Sequence, residues 1–287
     1  MIESQPLVSI IIPTYKRPDN LMRAIQSVRD QTYPNIEIIV VDDNGEGTKW
    51  QMETRKNGSA ARNTGFRASY GEYINFLDDD DILKPDMIGK QVNLLQKADN
   101  TIGATYATPI YIFKTRKGTN KEYPSYGTKD GDLTCDYLLG KIHFNTTGLL
   151  FKRSALEKLQ GFDEKYRRHQ DYELMIRFAR YFKMIHSYSE PLYYMDQSSE
   201  GSHGVDGQER IKFEEDFAQD FKKDLEREGC FKQYMHFTYW QCIIQFLSQK
   251  DYKATRYCIK KSLSYGIFSF VEFKEITKNI IKNILGL

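Results

Sequence analysis

Three short apolar runs, each followed directly by a polar turn, constrain the fold of this chain more than any other feature. They occupy residues 8–12, 36–41 and 73–77 and are rich in β-branched side chains, a composition typical of buried strands. The two segments between them carry apolar residues at helical spacing. This alternation predicts right-handed crossovers and an α/β fold, with a mostly parallel sheet flanked by helices.

The next hundred or so residues have a less regular pattern. Apolar spacing predicts strands over 104–113 and 147–151 and a helix over 171–182, with a polar, glycine-bearing loop over 115–132. The stretch 197–208, Q-S-S-E-G-S-H-G-V-D-G-Q, has almost no apolar side chain. Because glycine and serine favour irregular backbone, this stretch predicts a flexible loop.

The chain therefore divides into three expected parts. They are a domain over 1–195 with halves 1–100 and 101–195, a flexible loop over 196–208, and a mainly helical C-terminal region over 209–287. Near its end, apolar residues from Phe268 to Ile284 are interleaved with lysines. That pattern fits a basic amphipathic helix on an anionic membrane surface, and it is more typical of a helix packed against the first domain or a second copy of the chain.

Charge and composition exclude several classes of function. The chain of 287 residues carries 41 Lys and Arg against 39 Asp and Glu, a formal net charge of +2, so it has no general attraction for nucleic acid. Its four cysteines include no C-x-x-C pair that would hold zinc. No run approaches about 18 apolar residues, so we expect neither a signal peptide nor a membrane span. A cytoplasmic enzyme or binding protein is the expected class.

Polar turns follow each of the three predicted strands, at 13–17, 42–44 and 78–81. Ligands of open parallel sheets bind beyond the carboxyl ends of the strands, so these turns are expected to share one rim. The last turn consists of four aspartates, which repel one another unless a cation or hydrogen-bond donors compensate them. Oxygen ligands favour Mg²⁺ or Mn²⁺. A solvated acidic turn before the helix at Pro85 is the alternative.

Each remaining candidate also has two interpretations. Tyr15 would stack on a base or be a half-buried loop aromatic, and Asp42 would accept from a ligand or form a turn. Asn57 and Arg62 lie near a predicted helix start, which suits either a diphosphate or an ordinary capped helix. Asp171, at the start of a later helix, is by itself most typical of an N-cap.

Taken together, these motifs resemble the family 2 inverting glycosyltransferases with the GT-A fold. The similarity is close over 8–88, in V-S-I-I-I-P-T-Y-K-R, I-I-V-V-D-D, A-A-R-N-T-G and Y-I-N-F-L-D-D-D-D. It resumes over 146–177, in T-T-G-L-L-F-K-R, G-F-D-E and R-H-Q-D-Y-E-L-M-I-R. The resemblance covers roughly the first 195 residues and implies a GT-A (Rossmann-like) catalytic domain there.

The resemblance implies a UDP-sugar donor bound with Mn²⁺ or Mg²⁺ and assigns roles by position. The nucleotide-sugar site would contain Pro13, Thr14, Tyr15, Arg17, Asp42, Asn57, Arg62, Asp78 and Asp79. Asp80 and Asp78 would form the D-x-D metal element, with Asp79 and Asp81 as further candidates because the run is all Asp. Asp171 would be the catalytic base, and Gln170 stands where the family has an acid. His203, in the glycine-rich loop, would touch the metal or diphosphate, or else be solvated.

The implied function is transfer of a sugar, with inversion, to a hydroxyl of a glycan, lipid-linked or protein-linked acceptor in a bacterium. The C-terminal helices would then add peripheral contact with the inner face of the membrane, or homo-oligomer contacts. A nucleotide-sugar-binding protein without transfer activity is the first alternative, and Gln170 keeps it open. A sugar nucleotidyltransferase is the second, although the turn at 13–17 lacks the glycines of a phosphate loop.

Overall fold

The computed structural model describes residues 5–42, 57–114, 119–125, 129–197 and 207–285. It divides into two compact units, Met1–Ser199 and Glu200–Leu287. The expected loop over 196–208 lies mostly outside the described residues.

The first unit contains ten strands and six helices within its described part. The strands are β1 (Val8–Thr14), β2 (Ile36–Asp42), β3 (Tyr73–Phe76), β4 (Ile82–Leu83), β5 (Ile102–Tyr106), β6 (Pro109–Lys114), β7 (Asn120–Pro124), β8 (Leu149–Lys152), β9 (Lys183–His186) and β10 (Tyr193–Asp196). The helices are α1 (Pro18–Arg29), α2 (Gly58–Ala68), α3 (Met87–Lys97), α4 (Thr134–Leu138), α5 (Arg153–Leu159) and α6 (Gln170–Phe178).

The main sheet has six strands in the order β2-β1-β3-β8-β5-β9. β1 pairs in parallel with β2 and β3, and β5 pairs in parallel with β9. β8 is the exception, because it runs antiparallel to both of its neighbours. The mostly parallel α/β sheet expected from the sequence is therefore confirmed. Its reversed strand also brings the segment that precedes β8 to the edge where β3 ends.

The centre of this sheet is buried on both faces. Ile10, Ile11 and Ile12 of β1 are completely inaccessible to solvent, which explains why that strand has no polar alternation. α2 lies close against β1, because a Cβ added to Gly65 would come within 2.3 Å of the Ile11 Cγ2 atom. A glycine is therefore required here for close approach.

A second, smaller sheet corrects two expectations. Residues 104–113 do not form one strand, because the chain leaves the main sheet after β5 and enters a four-stranded sheet, ordered β4-β10-β6-β7, as β6. Pro109 begins β6, where its missing N–H is tolerated. The expected loop over 115–132 contains β7, which pairs antiparallel with β6. Every residue of β7 is exposed, so no apolar pattern marked it.

The second unit is helical in its described part, in agreement with the expected C-terminal region. It consists of α7 (Gly207–Asp220), α8 (Lys222–Arg227), α9 (Phe231–Ser248), α10 (Tyr252–Tyr265) and α11 (Phe270–Leu285). Phe221 occupies the N-cap position of α8 and separates that helix from α7. α9 supplies the buried centre, with Tyr234 and Phe246 almost inaccessible to solvent.

Several apolar side chains of this unit remain exposed. Phe270 and Val271, at the start of α11, are 82% and 73% exposed. None of the helices in the described ranges combines the length and the apolar character needed to cross a bilayer. Contact of this unit with a membrane surface or a second copy stays a prediction.

Two helical glycines provide a matched test of the packing between α2 and β1. We expect Gly65→Ala to destabilise the protein by about 1–3 kcal/mol, because the new methyl group overpacks against Ile11. Gly89→Ala in α3 should instead stabilise it by up to about 1 kcal/mol, because the nearest atom to a Cβ there lies 3.9 Å away. Urea denaturation of both variants measures this. Equal effects would contradict the close approach of α2.

Candidate active site

Side chains from three separate segments line one cavity of about 370 Å³ at the end of β1 and β3. The lining consists of Pro13, Thr14, Tyr15, Arg17, Asn57, Gly58, Ala61, Arg62, Asp78, Asp79 and Asp80. Nine of these residues are those that the sequence assigned to the nucleotide-sugar and metal sites. The polar turns after β1 and β3 therefore do share a rim, together with the start of α2.

The turn after β1 holds two of the four aspartates in place. Thr14 Oγ1 donates to Asp79 Oδ2 at 2.8 Å. The Arg17 Nη1 group donates to Asp79 Oδ1 at 3.0 Å and to Asp80 Oδ2 at 2.8 Å. The Asp79 side chain is only 7% exposed, whereas that of Asp80 is 23% exposed. Asp79 is thus used to join the two turns, and Asp80 keeps access to the cavity.

Asp81 is held in the same way from the opposite side. It is buried, and its Oδ2 atom accepts from Thr147 Oγ1 at 2.6 Å and from Asn145 Nδ2 at 2.8 Å. Asn145 Nδ2 also lies 3.4 Å from Asp78 Oδ2. All four aspartates are bonded within the protein, but Asp79 and Asp81 are buried, whereas the alternate pair, Asp78 and Asp80, is partly exposed. This alternation favours the Asp78-x-Asp80 register for the expected D-x-D element.

The aspartate run holds more negative charge than its surroundings compensate. Burial raises the pKa of Asp79 and of Asp80, and for Asp80 repulsion by Asp78 adds to the effect of burial. Burial raises the pKa of Asp81 well above its ordinary value, and the neighbouring Asp78 adds to this increase. Such a cluster becomes more stable when a positive ion approaches it.

A divalent cation fits the oxygen donors of this cluster. Among the described residues, no group of three or more His, Cys, Asp or Glu side chains is arranged to hold a metal by itself. Mg²⁺-type sites do not need such a cage, since they commonly use one or two carboxylates plus substrate phosphates. Asp80 and Asp78 have the exposure that this arrangement requires.

Arg62 forms the wall on the other side of the cavity. Its Nη2 atom pairs with Asp78 Oδ1 at 2.5 Å, and its Nη1 atom donates to Gln170 Oε1 at 2.8 Å. A Cβ added to Gly58 would lie 2.8 Å from Arg62 Nη1 and 2.9 Å from Gln170 Oε1. The glycine at the start of α2 therefore leaves the space in which this contact forms.

A second cavity, of about 300 Å³, adjoins the first, because Arg62 and Asp78 line both. It contains Asp171, which is half-buried in the first turn of α6. The interpretation of Asp171 as an N-cap is wrong, because His169 occupies the N-cap position. Asp171, the candidate base, instead lines the second cavity, next to the first.

Tyr137 orients the Asp171 carboxylate. Its hydroxyl donates to Asp171 Oδ2 at 2.5 Å, and its ring stacks on Phe144 with centroids 4.3 Å apart. Burial raises the pKa of Tyr137 well above its ordinary value, and the negative charge of Asp171 raises it further. The phenol therefore stays protonated and remains a hydrogen-bond donor at neutral pH.

Some predicted residues have a different placement. Asp42 ends β2 opposite Thr14, but it is absent from the described lining of the first cavity. Asn57 caps α2, because its Oδ1 atom accepts from the Ala60 N–H at 3.0 Å. Its Nδ2 atom donates to the Glu164 carbonyl at 2.9 Å, so both ends of its amide serve the fold. His203 lies outside the described residues.

Sequence reasoning missed Asn145, Thr147 and Tyr137. They lie between about 60 and 70 residues beyond the aspartates, or 34 residues before their partner Asp171. No local motif indicates contacts between such distant residues. Thr147 belongs to the T-T-G sequence quoted in the resemblance, but its contact with Asp81 depends on the antiparallel placement of β8.

Comparison with known proteins gives one family and several similar structures. The model of the family described as Glycosyl transferase family 2 matches residues 9–160. The chain is 25% identical over 301 residues to the amylovoran biosynthesis glycosyltransferase AmsB of Erwinia amylovora, covering 97% of this chain and 95% of that protein.

Two solved structures resemble the chain over nearly its whole length. S. aureus TarS, residues 1–349 in complex with UDP-GlcNAc, has a TM-score of 0.61 and 12% identity, covering 98% of this chain and 92% of that one. The mannosyltransferase PcManGT of Pyrobaculum calidifontis, in complex with GDP-Man and Mn²⁺, has a TM-score of 0.56 and 18% identity, covering 99% and 88%. At these identities the likeness shows the fold, and that fold is the expected GT-A fold.

The buried carboxylate of Asp81 provides a test of the charge in this site. A carboxyl whose folded pKa is raised costs stability increasingly as pH rises above its unfolded value of about 3.9. In EDTA, we expect Asp81→Asn to increase the Tm, and the increase to grow between about pH 4.5 and about pH 8. A gain of about 1 kcal/mol corresponds to about 2–4 °C.

Asp99→Asn is the control for this measurement. The pKa of the exposed Asp99 is lowered, chiefly by a hydrogen bond from Thr101, so its loss should not stabilise the protein at neutral pH. Thermal denaturation followed by circular dichroism measures both variants. A Tm of Asp81→Asn below that of the unmodified protein at every pH would contradict an uncompensated charge.

Proposed function

The chain belongs to glycosyl transferase family 2 and is a glycosyltransferase, and we propose that it transfers a sugar from a UDP-sugar, with inversion, to a hydroxyl of a glycan, lipid-linked or protein-linked acceptor. One observation carries the proposal. The cavity with the aspartate run and the cavity with Asp171 adjoin at a single ion pair, Arg62–Asp78, which lines both. A sugar bound at this junction would have its leaving group in one cavity and the attacking hydroxyl in the other.

In this proposal the first cavity binds the donor. Tyr15 stacks on the base, and the chain around Thr14 and Arg17 surrounds the nucleoside. Arg62 lies where the diphosphate would pass between the two cavities, and its guanidinium suits a phosphate group because it offers paired N–H donors. The solved complexes support a nucleotide-sugar of this class, since TarS was solved with UDP-GlcNAc and PcManGT with GDP-Man.

Asp80 and Asp78 would hold the divalent cation. When bound, that ion would neutralise negative charge on the diphosphate as the bond between the sugar and the phosphate breaks. The remaining work falls to the chain itself. Arg17 and Arg62 supply further positive charge, and the buried Asp79 keeps the Arg17 guanidinium in position.

Asp171 acts as the general base in the second cavity. As the acceptor oxygen bonds to C1 of the sugar, the hydroxyl proton passes to the carboxylate and the C1–O bond to the diphosphate breaks. Tyr137 occupies Asp171 Oδ2, so Oδ1 would receive the proton. Attack from the face opposite the diphosphate inverts the configuration at C1.

The first experiment incubates the protein and Mn²⁺ with UDP-sugars and measures UDP release, with GDP- and dTDP-sugars for comparison. We expect release from a UDP-sugar, its loss in EDTA, and a product of inverted configuration by NMR. Asp171→Asn should lower the rate by about 10²–10⁴-fold and leave UDP affinity by calorimetry unchanged. Undiminished turnover in this variant would remove Asp171 as the base, and release of pyrophosphate would indicate nucleotidyl transfer.

Tyr137 provides a separate test, because it positions the base without touching the substrate. We expect Tyr137→Phe to lower kcat about tenfold, since it loses one hydrogen bond to a charged group. The KM for the donor and the affinity for UDP should not change, because Tyr137 is absent from the described lining of the donor cavity. A rise in KM with unchanged kcat would contradict the positioning role.

A further inference from the structure

The two cavities carry opposite charge. The described lining of the first contains three aspartates against the two guanidinium groups of Arg17 and Arg62. The lining of the second contains two carboxylates, Asp78 and Asp171, against three guanidinium groups. Arg62 pairs with Asp78 and is placed at the donor diphosphate in the proposed function, so the positive charge left for an acceptor is that of Arg167 and Arg168 against Asp171.

The excess comes from a basic segment, Arg167-Arg168-His169, directly before α6. All three residues line the second cavity. Arg167 is exposed, and Arg168 and His169 are half-buried. The guanidinium group binds phosphate and carboxylate oxygens through two parallel N–H bonds, so it is well suited to an anionic group on a ligand.

The basic segment begins at a position that the fold holds firmly. Tyr166 is buried, and its carbonyl accepts from Ser59 Oγ at 3.4 Å. Two residues earlier, the Glu164 carbonyl accepts from Asn57. Both donors belong to the first turn of α2 or its cap. The start of the basic segment is therefore fixed to the same helix that carries Arg62.

Gln170 contacts Arg62 without adding a negative charge beside it. The Gln170 amide accepts from Arg62 Nη1 through Oε1, and it donates through Nε2 to the Arg167 carbonyl at 3.3 Å. A carboxylate at this position would accept the same hydrogen bond from Arg62 but would add a negative charge. Asp78 already offsets one unit of charge on Arg62, so the neutral amide leaves the lining with its excess of one cation.

We propose that the second cavity binds an acceptor saccharide carrying an anionic group, a phosphate or a carboxylate, near the attacking hydroxyl. Arg167 and Arg168 would bind the anion while Asp171 faces the hydroxyl. Because the Asp171 carboxylate repels an anion, the anionic group must lie toward the basic segment and away from Asp171. This inference rests on the proposed function, because it takes Asp171 as the base.

Calorimetry on the protein saturated with UDP and Mg²⁺ tests this proposal. The probes are glucose and galactose, each as the neutral sugar, the 1-phosphate and the uronic acid. UDP keeps the first cavity filled, so binding reports on the second. We expect at least one anionic form to bind about tenfold more tightly than its neutral sugar, as charge-assisted hydrogen bonds predict. The preference should decrease as salt increases. The phosphate and uronate arms identify which anion is bound.

Gln170→Glu is the sharpest variant, because it keeps the size of the side chain and its contact with Arg62 while it removes the excess charge. We expect the anionic preference, which is about tenfold in the unmodified protein, to be lost in both Gln170→Glu and Arg167→Gln. Lys165→Gln is the control, since Lys165 is exposed and outside the described lining, and it should retain the preference. Circular dichroism verifies that each variant is folded.

Two results separate the outcomes. Equal affinity for neutral and anionic sugars, in a protein that still binds UDP and releases it from a UDP-sugar, would overturn the anionic acceptor and leave the proposed function intact. Loss of the preference in Lys165→Gln as much as in Arg167→Gln would also overturn it. Absence of UDP binding and release in the unmodified protein would instead contradict the proposed function.

Discussion

Four consecutive carboxylates at the end of a buried strand must be compensated, and the structure of the site follows from how this happens. The four aspartates are bonded by three separate parts of the chain. The turn after β1 supplies Thr14 and Arg17, α2 supplies Arg62, and the segment before β8 supplies Asn145 and Thr147. Because donors from these three segments converge on four neighbouring residues, the charged run determines how the elements meet.

The sequence is a good guide where structure is encoded over a few residues. Short β-branched runs marked β1, β2 and β3, and the polar turns after β1 and β3 identified most of the first cavity. The edge strand β7 was not predicted, because all of its residues are exposed and its sequence therefore lacks the alternation of apolar and polar residues. The break between β5 and β6 was not predicted either, because apolar residues continue through it while the chain passes from one sheet to the other.

The contacts that sequence could not supply are those between distant segments. The four consecutive aspartates are identical in the sequence. In the structure they differ in burial, because Asp79 and Asp81 are buried and Asp78 and Asp80 are partly exposed. Tyr137 has no recognisable motif, yet its hydroxyl holds the candidate base. Such roles depend on which strands are neighbours. That in turn depends on the reversal of β8, which no pattern within the strand reveals.

Among the residues that the structure describes, Arg62 and Asp78 alone line both cavities. The remaining described lining of the first comes from residues 13–17, 57–61 and 79–80, and that of the second from residues 145–146 and 167–171. Selection can therefore alter the later segments with little effect on the earlier ones, provided that the shared ion pair and the hydrogen bonds from Asn57 and Ser59 are kept. In the proposed assignment of the two cavities, gene exchange that replaced the second half of such a domain would give a new acceptor range to an inherited donor site.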